Sequence, residues 1–335
     1  MKKEASFYQK KENNLVLCNL CSHNCKINDG NTGICNVRKN EDGKLYSLIY
    51  GTCSSMAKDP IEKKPLYHFH PGTYAFSFGT VGCNFKCLHC QNYSISTALP
   101  NSYITKEISP EDTVNFTKTN DCQGIAYTYN EPTIWHEFNY DSAKLAKKNN
   151  LYTVYVSNGY ISEDAFREIS NVLDAINIDV KAFNDKFYKK ICKASLNPVL
   201  ETCELAKKLN IHLELTYLVI PDHNDSADEI NNFLNWVIDN LGKDTPIHFS
   251  RFHPDHNLLG VPVTPMKTLY DIWNLCKEKG LLYVYLGNVT HGEYGNTQCP
   301  KCKSTVIQRN GYLIDLSGLD KDKCRFCKTK LPIIY

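Results

Sequence analysis

The chain reads as an α/β protein: a partial (β/α)6-type parallel barrel, preceded by a cysteine-rich segment and followed by a small unit built on paired cysteines. Three observations predict this. From Tyr74 onward, short apolar runs alternate with helical segments, the pattern of a parallel sheet covered by helices. Seven such runs are too few for a closed eight-stranded barrel but suit a partial one. Cysteines crowd at both ends of the chain, outside the alternating region. The units expected are 1–70, 71–290 and 291–335.

The first unit carries Cys18, Cys21, Cys25 and Cys35 at C-x2-C-x3-C-x9-C, with His23 among them and tight turns at Gly30 and Gly33. Four soft ligands at short spacing suit zinc or an iron–sulfur centre, and the spacing does not choose between them. Cys53 stands alone and reads as a small core residue or a spare ligand.

In the second unit the strand runs are Tyr74–Thr80, Gly124–Tyr129, Tyr152–Ser157, Ala175–Val180, His212–Ile220, Ile247–Phe252 and Leu282–Leu286. Helix starts are written between them. Ser109-Pro110-Glu111-Asp112 supplies a capping serine and a proline at the first helical position. Ser162 and Ser226 each precede acidic residues that favour a helix N-terminus. In parallel α/β folds the reactive groups collect at the C-terminal strand ends. Residues that follow the runs there are Asn130-Glu131-Pro132, Ser157-Asn158, Asp179-Val180-Lys181 and His253-Pro254-Asp255-His256.

After the first run comes Gly82-Cys83-Asn84-Phe85-Lys86-Cys87-Leu88-His89-Cys90-Gln91-Asn92. Three cysteines at C-x3-C-x2-C suit an iron–sulfur cube that leaves one iron open to a further ligand. A zinc knuckle prefers C-x2-C pairs, and buried thiols need no such spacing. The third unit has Cys299, Cys302, Cys324 and Cys327 at C-x2-C-x21-C-x2-C, a zinc-ribbon-like pattern with rubredoxin-like iron as the alternative; all four positions are filled, which points to a structural ion. Between the pairs, Val306–Ile314 reads as a hairpin turning at Asn310-Gly311.

Composition excludes some classes. Charged residues make up 22% and the net charge is +2, so bulk charge gives no case for nucleic acid or an anionic membrane. No apolar run approaches the roughly 20 residues of a membrane span, and no membrane partner is expected. The polar start Met1-Lys2-Lys3-Glu4 lacks a signal peptide's apolar core. Cysteine clusters without a secretion signal point to metal and a cytoplasmic location.

The cysteine loop, Tyr-Asn-Glu-Pro-Thr at 129–133, the N-terminal cysteine pattern and Gly-Asn-Thr-Gln-Cys-Pro-Lys-Cys at 295–302 together resemble the radical S-adenosylmethionine (SAM) superfamily. The resemblance covers nearly the whole chain and is nearest to its pyruvate formate-lyase activase-like group and, within that, to the radical SAM member of the AmmeMemoRadiSam system. It implies a [4Fe-4S] cluster on Cys83, Cys87 and Cys90, with SAM on the open iron. Glu131 would receive the SAM ammonium, Ser157 and Asn158 the ribose, and Lys181 the carboxylate. Asp179 would orient Lys181 or bind a cation, and His253 and His256 would contact adenine or substrate. Two departures stand out: His89 replaces the aromatic residue usual before the third cysteine, and Tyr129 and Asn130 replace two glycines before Glu131. The resemblance also implies a flavodoxin or ferredoxin as electron donor, a protein or peptide or else an uncharacterised small molecule as substrate, and Memo-like and Amme-type proteins as partners. The alternative from another class is a non-catalytic iron–sulfur or zinc protein acting in electron transfer or nucleic-acid binding. The excess of Lys and Arg over residues 299–335 is its support.

Overall fold

Eight strands hydrogen-bond side by side in chain order. They are β1 (Ser55–Pro60), β2 (Tyr74–Gly79), β3 (Gly124–Tyr127), β4 (Tyr152–Ser157), β5 (Ala175–Asp179), β6 (His212–Val219), β7 (Ile247–Arg251) and β8 (Val284–Gly287). Strands β2 to β8 are mutually parallel. Strand β1 runs antiparallel to β2, from Ser55 opposite Gly79 to Pro60 opposite Tyr74. This computed structural model describes residues 2–289 and 292–335. The expected boundary between residues 290 and 291 therefore lies outside the described residues.

All seven anticipated runs form strands, each ending within about two residues of the expected limit. Six helices bridge them: α1 (Pro110–Thr119), α2 (His136–Lys148), α3 (Glu163–Ser170), α4 (Asn197–Lys208), α5 (Ala227–Asn240) and α6 (Met266–Glu278). Ser109 and Asp112 form a reciprocal capping box on α1, and Ser162 and Ser226 cap α3 and α5. Strand order never reverses. Right-handed crossovers that always advance the same way put every helix on one face, which is the winding of a barrel. Among the described residues β1 and β8 do not pair, so the barrel stays open. The N-terminal residues Val16, Leu20, Val37, Leu45 and Ile49 share the core beneath the helices.

Alternation along the strands decides what fills the other face. Ala75, Ala126 and Ala175 point there, and their small side chains admit Ile61, Leu66 and Phe69 from the segment after β1. That segment also reaches the C-terminal unit: the His70 amide donates to the Ile334 carbonyl at 2.7 Å, and an Arg309 guanidinium nitrogen donates to the Tyr67 carbonyl at 2.7 Å. Glu214 lies buried in this region, accepting from the His68 amide (2.7 Å), His212 Nε2 (2.9 Å) and His248 Nε2 (2.7 Å). Burial disfavours its charge, but the two histidines outweigh burial and hold its pKa well below the ordinary carboxylate value. A depressed folded-state pKa contributes stability that is present above the unfolded value, about 4.5, and lost as pH falls toward the folded one. Thermal unfolding between pH 3 and 7 is expected to show this loss in the wild type. Glu214→Gln is expected to lack that pH-dependent component and to be less stable by about 3–5 kcal/mol at neutral pH.

No helix among the described residues is long and apolar enough to cross a membrane.

Candidate cluster and cosubstrate site

Strand β2 ends in a turn that must approach its neighbours closely. Gly82 has φ +87°, and a Cβ there would lie 2.6 Å from Val37 Cγ1 and 2.9 Å from the Cys35 carbonyl oxygen. The loop from Cys83 to Asn92 then runs across the C-terminal ends of the sheet, held by groups that follow β3, β5 and β7. Asn130 clamps its start, accepting from the Thr80 amide (3.1 Å) and donating to the Gly82 carbonyl (2.8 Å). Asn92 donates to the Tyr129 carbonyl at 2.7 Å. The Lys86 and Leu88 amides donate to the carbonyls of Cys192 (2.9 Å) and Ile191 (3.1 Å), on either side of Cys87, and the Asn257 amide donates to the Leu88 carbonyl (2.9 Å). Ile191 and Cys192 belong to a widened helical turn, Tyr188–Cys192, a feature that recurs at functional sites.

Cys83, Cys87 and Cys90 are free and partly exposed. Burial raises all three thiols; Cys87 adds to the rise at Cys83 and Cys90, and at Cys87 itself the Cys192 thiol is the largest cause. Three soft donors converging at the open end of the sheet, with surface left free, fit a cluster that keeps one iron available. The flanks of this triad carry opposite charges: Glu131 acts on Cys83, and Lys181 acts on Cys87 and Cys90.

Glu131 is 2% exposed and caps the short helical turn Pro132–Trp135. It accepts from the Thr133 amide (2.9 Å), the Ser157 hydroxyl (2.8 Å) and the Asn158 amide (2.8 Å). Burial nevertheless raises its pKa. Ser157 and Asn158, at the end of β4, thus meet Glu131 directly. The Asn158 side chain also donates to Asn84 Oδ1 at 2.8 Å, tying this strand end to the cysteine loop. Lys181 pairs with Asp179 at 2.7 Å. Burial works against its ammonium, and Asp179 more than compensates, raising its pKa. His253 is exposed at the rim, where Gln91 donates to its Nε2 at 2.9 Å. His256 stacks on Tyr93 at 4.6 Å.

Both departures from the family pattern have a physical account. Tyr129 adopts φ +73°, the region a glycine takes without strain. Its hydroxyl donates to Asp59 at 2.8 Å, which anchors the ring in that conformation. His89 is 4% exposed, and burial, then Lys181, lowers its pKa to about 3, so it serves as a neutral flat ring.

The two outer cysteine groups are also gathered. Cys18, Cys21 and Cys35 are buried and Cys25 partly so; Cys18, Cys25 and Cys35 all act on the Cys21 thiol. The sulfurs of Cys299, Cys302, Cys324 and Cys327 lie within 4.8 Å of one another, around a separate small core of Val306, Ile307, Leu319, Leu331 and Ile333. The hairpin between the pairs turns at Gly311-Tyr312 rather than Asn310-Gly311, because Asn310 still pairs with Leu313.

A model of the radical SAM superfamily matches residues 78–237. An uncharacterized protein of Methanocaldococcus jannaschii is 46% identical over 334 residues, which cover 99% of each chain. The pyruvate formate-lyase 1-activating enzyme of Escherichia coli is 24% identical over 159 residues, 45% of this chain and 65% of that enzyme. The crystal structure of Streptococcus suis SuiB bound to precursor peptide SuiA superposes with a TM-score of 0.51 at 9% identity, covering 69% of this chain and 52% of that one, a likeness of fold. With the thiol triad and the opposed charges beside it at the strand ends, these matches establish that the chain belongs to the radical SAM superfamily.

Proposed function

We propose that this protein is an activase-like radical SAM enzyme whose substrate is a protein or peptide. When bound, a [4Fe-4S] cluster on Cys83, Cys87 and Cys90 supplies the electron that cleaves SAM to methionine and a 5′-deoxyadenosyl radical, which takes hydrogen from the substrate. The observation that carries the reading is the thiol triad between a carboxylate, Glu131, and an ammonium, Lys181, at the C-terminal ends of the sheet.

The amino-acid end of SAM is a zwitterion, and the two flanks complement it. Glu131 offers its remaining acceptor capacity to the ammonium, a charge-assisted contact that offsets the burial raising its pKa. Lys181, oriented by Asp179, offers its ammonium to the carboxylate. Ser157 and Asn158 hold Glu131 and lie on the ribose side. His253 and His256 stand at the rim, on the adenine or substrate side.

The three units 1–70, 71–290 and 291–335 then have these duties: a metal-bearing support that also gives the sheet its edge strand, Ser55–Pro60, the rest of the SAM-cleaving sheet, and a structural ribbon. Zinc in the third unit suits four thiols at single-ion spacing. Element-specific anomalous scattering from anaerobic crystals is expected to find zinc at Cys299, Cys302, Cys324 and Cys327 and iron at the triad. Zinc at the triad would leave no electron source.

A cytoplasmic flavodoxin or ferredoxin is the class of donor such a reaction needs, and Memo-like and Amme-type proteins are candidate partners. Substrate is tested by anaerobic reconstitution with deuterated candidate peptides and proteins. Deuterium in 5′-deoxyadenosine identifies the substrate. Deuterium only from a small molecule would overturn the peptide assignment.

A further inference from the structure

We propose that Cys18, Cys21, Cys25 and Cys35 hold a second iron–sulfur cluster that accepts from Arg38 and is in contact with the loop that carries Cys83. This goes beyond the reading of the central triad and is independent of it.

The four thiols come together by backbone geometry. The Cys18 amide donates to the Cys25 carbonyl at 2.9 Å. The turn before Cys35 crosses over Cys25 so closely that a Cβ on Gly33 would lie 3.5 Å from the Cys25 sulfur. None of the four is in a disulfide.

A second observation points to a ligand. Arg38 is 1% exposed. Its terminal nitrogens donate to the Ser6 carbonyl (3.1 Å) and to Glu137, but its Nε–H has no partner. Cys18 and Cys35 act on this guanidinium electrostatically. A buried donor with no acceptor is costly. Metal-bound thiolates beside it would supply the acceptor, since Glu137 already pairs with the charge.

Spacing separates a cluster from a single ion. The C-terminal four sulfurs close to within 4.8 Å, and no other set of three or more such donors among the described residues reaches single-ion spacing. The N-terminal four share that property with the central triad. Like the three thiols of the triad, these four suit the corners of a cube.

The two cysteine loops also touch. His23, between Cys21 and Cys25, donates from Nε2 to the Asn84 carbonyl at 2.8 Å. Gly82 presses against Val37 and the Cys35 carbonyl.

Iron, acid-labile sulfide and zinc are counted per chain after anaerobic reconstitution of three proteins. The wild type is expected to hold about eight iron atoms. The Cys83→Ala/Cys87→Ala/Cys90→Ala and Cys18→Ala/Cys35→Ala variants are expected to hold about four each. Wild-type iron in the Cys18→Ala/Cys35→Ala variant, or loss from it of one zinc instead of iron, overturns the second cluster. The two readings fail separately, because unchanged iron in the triple variant would contradict only the central site. If the double variant does not fold, anomalous scattering at the iron edge from wild-type crystals decides. Iron at these four sulfurs is the expected result, and zinc or no metal there overturns it.

Discussion

Formation of 5′-deoxyadenosine falls below detection when Cys83, Cys87 or Cys90 is replaced by alanine. Each supplies one of three soft donors, and two thiolates do not hold an open-site cube firmly. The loop itself is expected to survive the change. Its position is set by Asn130, Asn92 and the carbonyls of Ile191 and Cys192 rather than by the sulfurs. Circular dichroism of the variants is therefore expected to match the wild type while iron content drops. Cys276→Ala, a buried thiol on α6 far along the chain from the triad, is the control and leaves SAM cleavage intact. Normal 5′-deoxyadenosine from any of the three variants under dithionite would refute the assignment of the cluster.

Glu131→Gln weakens SAM binding roughly five- to ten-fold, because a charge-assisted hydrogen bond worth about 1.5–3 kcal/mol becomes a neutral one worth about 0.5–1.5 kcal/mol. The same change has a second effect. Glu131 accepts from Thr133, Ser157 and Asn158 while buried. A glutamine presents one oxygen and one NH2, so at least one of those donors loses its acceptor. The stability cost is about 1–3 kcal/mol, above the ~0.3–1 kcal/mol of an exposed carboxylate at a helix N-terminus. Cap and ligand contact are thus two duties of one side chain. Calorimetric titration of SAM into reconstituted wild type and variant, with cluster absorbance matched, separates them. Lower thermal stability with equal SAM affinity would reduce Glu131 to a structural cap.

The sheet was legible because its strands are buried on both faces and read as short apolar runs between capped helices. Strand β1 was not. Ser-Met-Ala-Lys-Asp-Pro is polar and ends in proline, which an antiparallel edge tolerates and a central strand does not. Among site residues, the cysteines declared themselves by spacing, and Glu131, Ser157-Asn158 and Lys181 by their place after strand runs. Asn84 and Cys192 carried no such signal, and Asn130, though it follows a run, gave no sign that it clamps the loop. Asn84 and Asn130 act by bridging segments 46–74 residues apart, and Cys192 meets Cys87 across about a hundred residues. The buried Asn84 stood inside the motif, and a polar residue of no obvious use between two ligands was the available hint. The hairpin turn missed by one residue because Gly311, with φ +63°, opens the two-residue loop instead of closing it.

The central claim is that this triad drives reductive cleavage of SAM. The direct measurement is anaerobic incubation of the reconstituted wild-type protein with SAM and dithionite, following SAM, methionine and 5′-deoxyadenosine by chromatography. Methionine and 5′-deoxyadenosine are expected in equal amounts, dependent on reductant and absent from Cys87→Ala. SAM that stays intact in protein carrying its full iron complement would contradict it.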